Sequence, residues 1–264
     1  MIPERYRKYE KTVTVTCANF HTAWGDKAAN LAKMKANIEE AVAVGSNIIA
    51  FPEMGLSGYE CSEDGGNSKR SCSMHREAAE DIPGPSTNAI ARLTKKHSVY
   101  VALSMPEKDS KRPGKCHIST ALIGPEGIVG VYQKLHLGSP PVANEVSCYT
   151  PGNELPVFET RYGPIGILIC YDFWRHPELS RILALKGARL IINTTASGAG
   201  FGKEQVMQEV EDRDCPAWAI FIGRNLYRKY EDNDMSDSLS TLDGVLNGLG
   251  KSDTQARIMI KFYE

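Results

Sequence analysis

An apolar run at Gly166-Ile167-Leu168-Ile169 stops abruptly at Cys170, and Tyr171 and Asp172 follow at once. A run of that length, bounded by turn signals, reads as a buried strand delivering a thiol to its own C-terminal tip. In α/β proteins the tips of strands are where chemistry collects. Cysteine is the most nucleophilic side chain near neutral pH, provided something lowers its pKa or takes its proton. A strand-end cysteine also serves as an inert small hydrophobe, so the rest of the chain must decide between the two.

Strand and helix signals alternate along most of the sequence. Residues 11–20 alternate apolar and polar, with Val13, Val15 and Cys17 on one face of a half-buried strand. Residues 27–44 are helical: Leu31, Met34, Ile38, Ala41 and Val42 recur at three- and four-residue steps, and Gly45 suits the position after the helix. A buried strand follows at 47–51. Ser86 is expected to cap a helix running to His97, with a strand at 99–103. Strands at 117–123 and 128–132 flank Gly-Pro-Glu-Gly as a hairpin, and strands at 157–160 and 165–170 flank Arg-Tyr-Gly-Pro in the same way. Pro177 opens a helix to 186, and a strand lies at 190–193. A helix near 203–213, a strand at 218–222 and a hairpin around Asp243-Gly244 complete the pattern. Residues 60–76, 108–115 and 227–238 read as surface loops. Parallel units mixed with hairpins predict layered sheets covered by helices, in one domain spanning 1–264.

Composition narrows the function. Charge is nearly balanced, 31 Lys and Arg against 32 Asp and Glu, which gives no support to a nucleic-acid or membrane-surface partner. No apolar stretch approaches a membrane span, and the charged first ten residues lack the apolar core of a signal peptide. The seven cysteines are odd in number, scattered and never spaced Cys-x-x-Cys, which argues against a disulfide framework and a zinc site. The expected setting is a reducing cytoplasm.

Other strand ends carry ionisable groups. Ile48-Ile49-Ala50-Phe51-Pro52 ends at Glu53, and Val129-Gly130-Val131-Tyr132-Gln133 ends at Lys134. Glu145 precedes Pro151-Gly152 in a long loop. Solvated Glu and Lys are the usual finish of a strand. A base, a cation and a nucleophile together at successive strand tips form a far more specific pattern.

These stretches, FPEMGLSGY at 51–59, YQKLHL at 132–137, TPGNELPVFET at 150–160, GPIGILICYD at 163–172 and PELSRILALKGA at 177–188, resemble the nitrilase, or carbon–nitrogen hydrolase, superfamily in order and spacing. The resemblance runs from about residue 12 to 262. It implies an α/β fold, a four-layer α-β-β-α sandwich, with no metal or organic cofactor and a Glu-Lys-Cys triad. By position these roles fall to Glu53, Lys134 and Cys170, with Glu145 matching a second glutamate of many members. The chemistry suits them: Glu53 takes the thiol proton, Lys134 and the Tyr171 N–H face the oxyanion, and a cation beside Cys170 favours thiolate. His136 is expected to be a buried histidine satisfied by a backbone carbonyl. Asp172 is expected to hold its own turn. Cys148 and Cys215 are taken as structural or incidental.

Tyr171-Asp172 after the nucleophile is similar to the amidase and carbamoyl-amide branches, where true nitrilases carry Trp-Glu. Branches acting on carbamoyl amino acids often place arginines where this chain has Phe173 and Trp174, which suggest instead an apolar wall beside the nucleophile. The stretch from Cys170 to Pro177 is one residue longer than the common pattern. Downstream, Arg213-Asp214-Cys215-Pro216-Ala217 replaces an Arg-Ala-x-Glu-Asn-type segment, and Pro216 must end or kink its helix, so assembly is expected to be atypical. The resemblance implies a small-molecule amide substrate and a homodimer or larger even homo-oligomer. The leading expectation is an amidase releasing ammonia. An N-carbamoyl-amide hydrolase, a nitrilase and a catalytically silent binding homologue are the alternatives.

Overall fold

The computed structural model describes residues 4–19, 22–59, 68–139, 145–196, 218–222 and 254–261. Strand β1 (Thr12–Asn19), helix α1 (Lys27–Ala43) and β2 (Ile48–Ala50) form the first parallel unit. Helices α2 (Ser68–Ala78) and α3 (Pro85–His97) lead to β3 (Tyr100–Lys108), which runs into the meander β4 (Cys116–Gly124) and β5 (Gly127–Gln133). A four-residue helix, α4 (Glu145–Cys148), precedes β6 (Val157–Phe158) and β7 (Ile165–Ile169). Helices α5 (Tyr171–Arg175) and α6 (Pro177–Leu185) follow, then β8 (Leu190–Thr194), β9 (Trp218–Ile222) and β10 (Thr254–Lys261).

Two sheets result, ordered β10-β1-β2-β3-β4-β5 and β6-β7-β8-β9. Pairing in the first is parallel across β1-β2-β3 and antiparallel towards both edges. The outer face of this sheet is closed by α1 and α3, whose Met34, Ile38 and Ile90 pack on Ile49, Phe51, Val101, Leu103 and Ile123. The inner face carries Val13, Val15, Ile48, Ala50, Ala102, Ile118 and Leu122, in one cluster with Ile165, Ile167, Ile169 and Ile192 of the second sheet. In β7 the alternate positions face outwards: a Cβ on Gly166 would lie 2.8 Å from the Leu183 side chain of α6. The order α, β, β, α is a four-layer sandwich within a single domain.

Two of the three predicted hairpins form among the described residues, and α1 ends before Gly45, whose φ of +84° suits a residue without a Cβ. Five points differ from the sequence reading. Strand β1 is buried on both faces, because Thr14 and Thr16 lie beneath the end of α1, where the Thr16 hydroxyl meets that of Ser46. Helix α3 is capped two residues earlier than expected. Gly84 is the cap, with its N–H held by Thr87, and buried Ser86 instead donates its N–H and hydroxyl to the Glu80 carboxylate. Residues 68–78 are helical where a polar loop was expected. Cys72 and Cys148 form a disulfide, overturning the reading that the cysteines form none. They lie 76 residues apart, and only the packing of α2 on α4 brings them together. Strand β10 was not foreseen; it pairs along the whole of β1. The expected helix at 203–213, the hairpin at 243–244, the loop at 227–238 and the Pro216 kink lie outside the described residues.

Candidate active site

Glu53 sits three residues past β2, at the start of a tight turn that β3 supports. The Met54 N–H donates to the Ser104 hydroxyl at 3.1 Å, and Leu56 N–H to the Ser104 carbonyl at 3.3 Å. Lys134 is the first residue beyond β5; its N–H donates to Ile118 O at 2.9 Å, and its carbonyl accepts from Gly152 N at 2.8 Å. A Cβ on Gly152 would stand 2.5 Å from the Gln133 carbonyl, so the glycine of the Pro-Gly pair is what allows this approach. Cys170 ends β7 with its N–H on Thr194 O at 2.8 Å. Its φ of 47° and ψ of −103° lie outside the usual basins of a non-glycine residue, a costly corner that turns the thiol out of the sheet.

The three strand ends converge. Lys134 Nζ donates to Glu53 Oε1 at 2.8 Å and to Glu145 Oε1 at 2.8 Å, all three side chains being buried. Cys170 is half-buried beside them, close enough to Glu53 for the two side chains to act on each other. Glu145, the first residue of α4, also accepts from the Tyr59 hydroxyl at 2.5 Å and from Gly138 N–H at 2.6 Å. Glu53 Oε2 accepts from Ala196 N–H at 3.1 Å.

Two carboxylates around one ammonium leave a net negative charge in a desolvated space. Burial pushes Glu53 up to about 7, Lys134 pulls it back, and the charge of Glu145 adds to the rise. Burial opposes the charge on Lys134, but Glu53 and Glu145 together hold it above its ordinary value, as an ammonium. Burial and then Glu53 raise the Cys170 thiol well above the usual range, and Lys134 only partly offsets them. Lys134 favours the thiolate, as expected, but burial and the charge of Glu53 outweigh it, so the group at rest is the thiol. Among the described residues no cluster of three His, Cys, Asp or Glu side chains could hold a metal ion.

The neighbours of Cys170 take unexpected positions. Phe173 is buried in the core, and Trp174, half-buried, meets it edge-on with ring centroids 5.5 Å apart. Tyr171, the first residue of α5, packs edge-on against His176. His136 is not a buried histidine on a carbonyl. Its imidazole is 39% exposed, stacks on His176 at 3.5 Å and places Nδ1 3.0 Å from the Asp172 carboxylate. Asp172 does not hold its own turn either; its hydrogen bonds reach across to the exit of β5. Tyr59, Gly138 and Ala196 were missed as partners of the carboxylates. Tyr59 ends the 51–59 stretch that also holds Glu53, the one signal that could have marked it.

A family model described as carbon-nitrogen hydrolase matches residues 14–214. The probable nitrilase C965.09 of Schizosaccharomyces pombe is 33% identical over 184 residues, covering 69% of this chain and 62% of that protein. Omega-amidase NIT2 of Danio rerio is 34% identical over 173 residues, covering 63% of this chain and 57% of the enzyme. The chain thus spans about six tenths of the length of the curated relatives it matches. Among solved structures, Nit3 of Saccharomyces cerevisiae, a member of branch 10 of the nitrilase superfamily, superposes with a TM-score of 0.66 at 22% identity, over 85% of this chain and 81% of that one. At that identity the likeness is one of fold.

Proposed function

This chain belongs to the carbon–nitrogen hydrolase family, and on that premise we propose that it is a cysteine-dependent amidase that cleaves the C–N bond of a small amide and releases ammonia. The observation that carries the reading is the Cys170 thiol beside a buried Glu53 that shares one ammonium with Glu145. Glu53 takes the thiol proton as Cys170 Sγ bonds to the carbonyl carbon. The oxyanion is met by the Lys134 donor that neither carboxylate uses and by the Tyr171 N–H. Glu53 returns the proton to the departing nitrogen, ammonia leaves, and a thioester remains. Water then gives a proton to Glu53 and bonds to the acyl carbon; the carboxylic acid departs and the thiol is restored. Glu145, held in place by its three donors, orients the substrate nitrogen or the water.

A carboxylate-gripping pocket for carbamoyl amino acids gains no support at Phe173, which the core occupies, so a neutral acyl group bounded by Trp174 is the substrate of choice. The same reading includes a homodimer or larger even assembly, and α6 presents Ile182 and Leu185 to solvent. The test is ammonia release from a panel of primary amides, carbamoyl compounds and nitriles, run beside Cys170→Ala. Amide turnover abolished by the substitution is the expected result. Turnover that survives it, or a wild type active on nitriles alone, refutes the proposal.

A further inference from the structure

Asp172 takes no part in the bond-making above, yet it is wholly buried and accepts four hydrogen bonds. They come from the Tyr132 hydroxyl at 2.8 Å, Leu135 N–H at 3.3 Å, His136 N–H at 2.8 Å and His136 Nδ1 at 3.0 Å. All four donors belong to the end of β5 and its exit, and they flank Lys134 on both sides. Cys170 lies two residues before Asp172 on the other sheet's chain. One carboxylate therefore joins the segment of the nucleophile to the segment of the cation across the gap between the sheets. The backbone of Lys134 is tied to Ile118 and Gly152, which fix it along the first sheet. Asp172 supplies the tie to the second.

A buried carboxylate is costly unless its lone pairs are filled. Here they are filled when residues 132–136 occupy one position relative to α5, so the charge acts as a geometric specification. We propose that Asp172 is a positioning residue that sets where Lys134 stands relative to Cys170, and through Lys134 governs the ionisation of Glu53. This rests on the roles assigned above to Lys134 and Glu53.

The groups involved are few. Glu53 faces Lys134, Glu145, Cys170 and Tyr59. Asp172 faces Tyr132 and His136, with His176 stacked on His136 and Tyr171 edge-on to His176. Lys134 restrains Glu53 against the upward push of burial and Glu145, so an outward drift of the ammonium leaves Glu53 harder to ionise.

Asp172→Asn keeps the volume but presents an amide where four donors converge. The expected result is a kcat lower by about 10²-fold, as for a misplaced catalytic group, with KM little changed and the acidic limb of the pH profile moved upwards by about one unit. Iodoacetamide alkylation of Cys170 across pH, followed by mass spectrometry at its own peptide, should show the same upward shift. That readout needs no substrate. A wild type that turns over no amide refutes the functional reading, while the alkylation profile still judges Asp172. Tyr132→Phe removes one donor and should shift the profile less, in the same direction; it replaces Asp172→Asn if that variant does not fold. An unchanged kcat overturns the proposal. So does a loss that tracks the folded fraction with both pH midpoints at their wild-type positions.

Discussion

At the scale of single residues, the division of labour between the two glutamates follows from how many donors each receives. Glu145 accepts from Lys134, Tyr59 and Gly138, whereas Glu53 has Lys134 and a longer bond from Ala196. The less satisfied carboxylate is the one poised to exchange a proton near neutrality. Its pKa, raised from 4.5 to about 7, means that the folded state binds the proton more tightly than the unfolded chain does between those values. Its contribution to stability is complete below about 4.5 and is lost as pH rises through about 7. On the proposed mechanism catalysis needs the ionised base and rises over the same interval. Wild type should therefore lose stability relative to Glu53→Gln between pH 5 and 8 in chemical denaturation, while its own kcat/KM increases with an apparent midpoint near 7. Parallel slopes would contradict this assignment. Glu53, Lys134 and Cys170 are legible in the sequence because each ends an apolar run. Tyr59 and Asp172 are not, because their partners lie 86 and up to 40 residues away and only the fold reveals them.

At the scale of elements, α2 shows what hydrophobic patterning cannot see. Ser-Lys-Arg-Ser-Cys-Ser-Met-His-Arg-Glu-Ala has too few apolar residues to read as a core-facing helix. It is held by the Cys72–Cys148 disulfide, and His75 packs on Tyr149 with its imidazole, pushed down to about 4 by burial, kept neutral. The cysteine pairing could not be read because spacing carries no information about which helices touch, and an intracellular reading discourages it. Breaking the bridge with Cys72→Ser, or reducing it, should lower stability by about 2–4 kcal/mol in urea titration. Because Cys148 shares the single turn of α4 with Glu145, kcat should fall several-fold as well. Loss of stability with unaltered kcat would show that the remaining bonds to Glu145 suffice to hold it. By contrast, β4, β5, β6 and β7 are readable to within a residue or two, because Gly-Pro-Glu-Gly and Arg-Tyr-Gly-Pro dictate local turns.

At the scale of the whole molecule, the layer order follows from pattern together with resemblance, but the two-faced burial of β1 and its pairing with β10 depend on long-range closure of the sheet. The site is partitioned: Glu53 and Lys134 extend from one sheet, and Cys170 from the other. Where β5 meets β6 the two layers leave no slack, since a Cβ on Gly130 would lie 2.2 Å from the Phe158 ring. Neither sheet alone holds a competent set of groups. Chains of this size commonly regain secondary structure before their tertiary packing is complete. On dilution from denaturant, far-UV ellipticity should therefore return ahead of amide turnover, and simultaneous recovery would count against that sequence. On the proposed function Cys170 is in this sense a clock as well as a nucleophile: a refolding chain would mark the moment its halves have met by beginning to release ammonia.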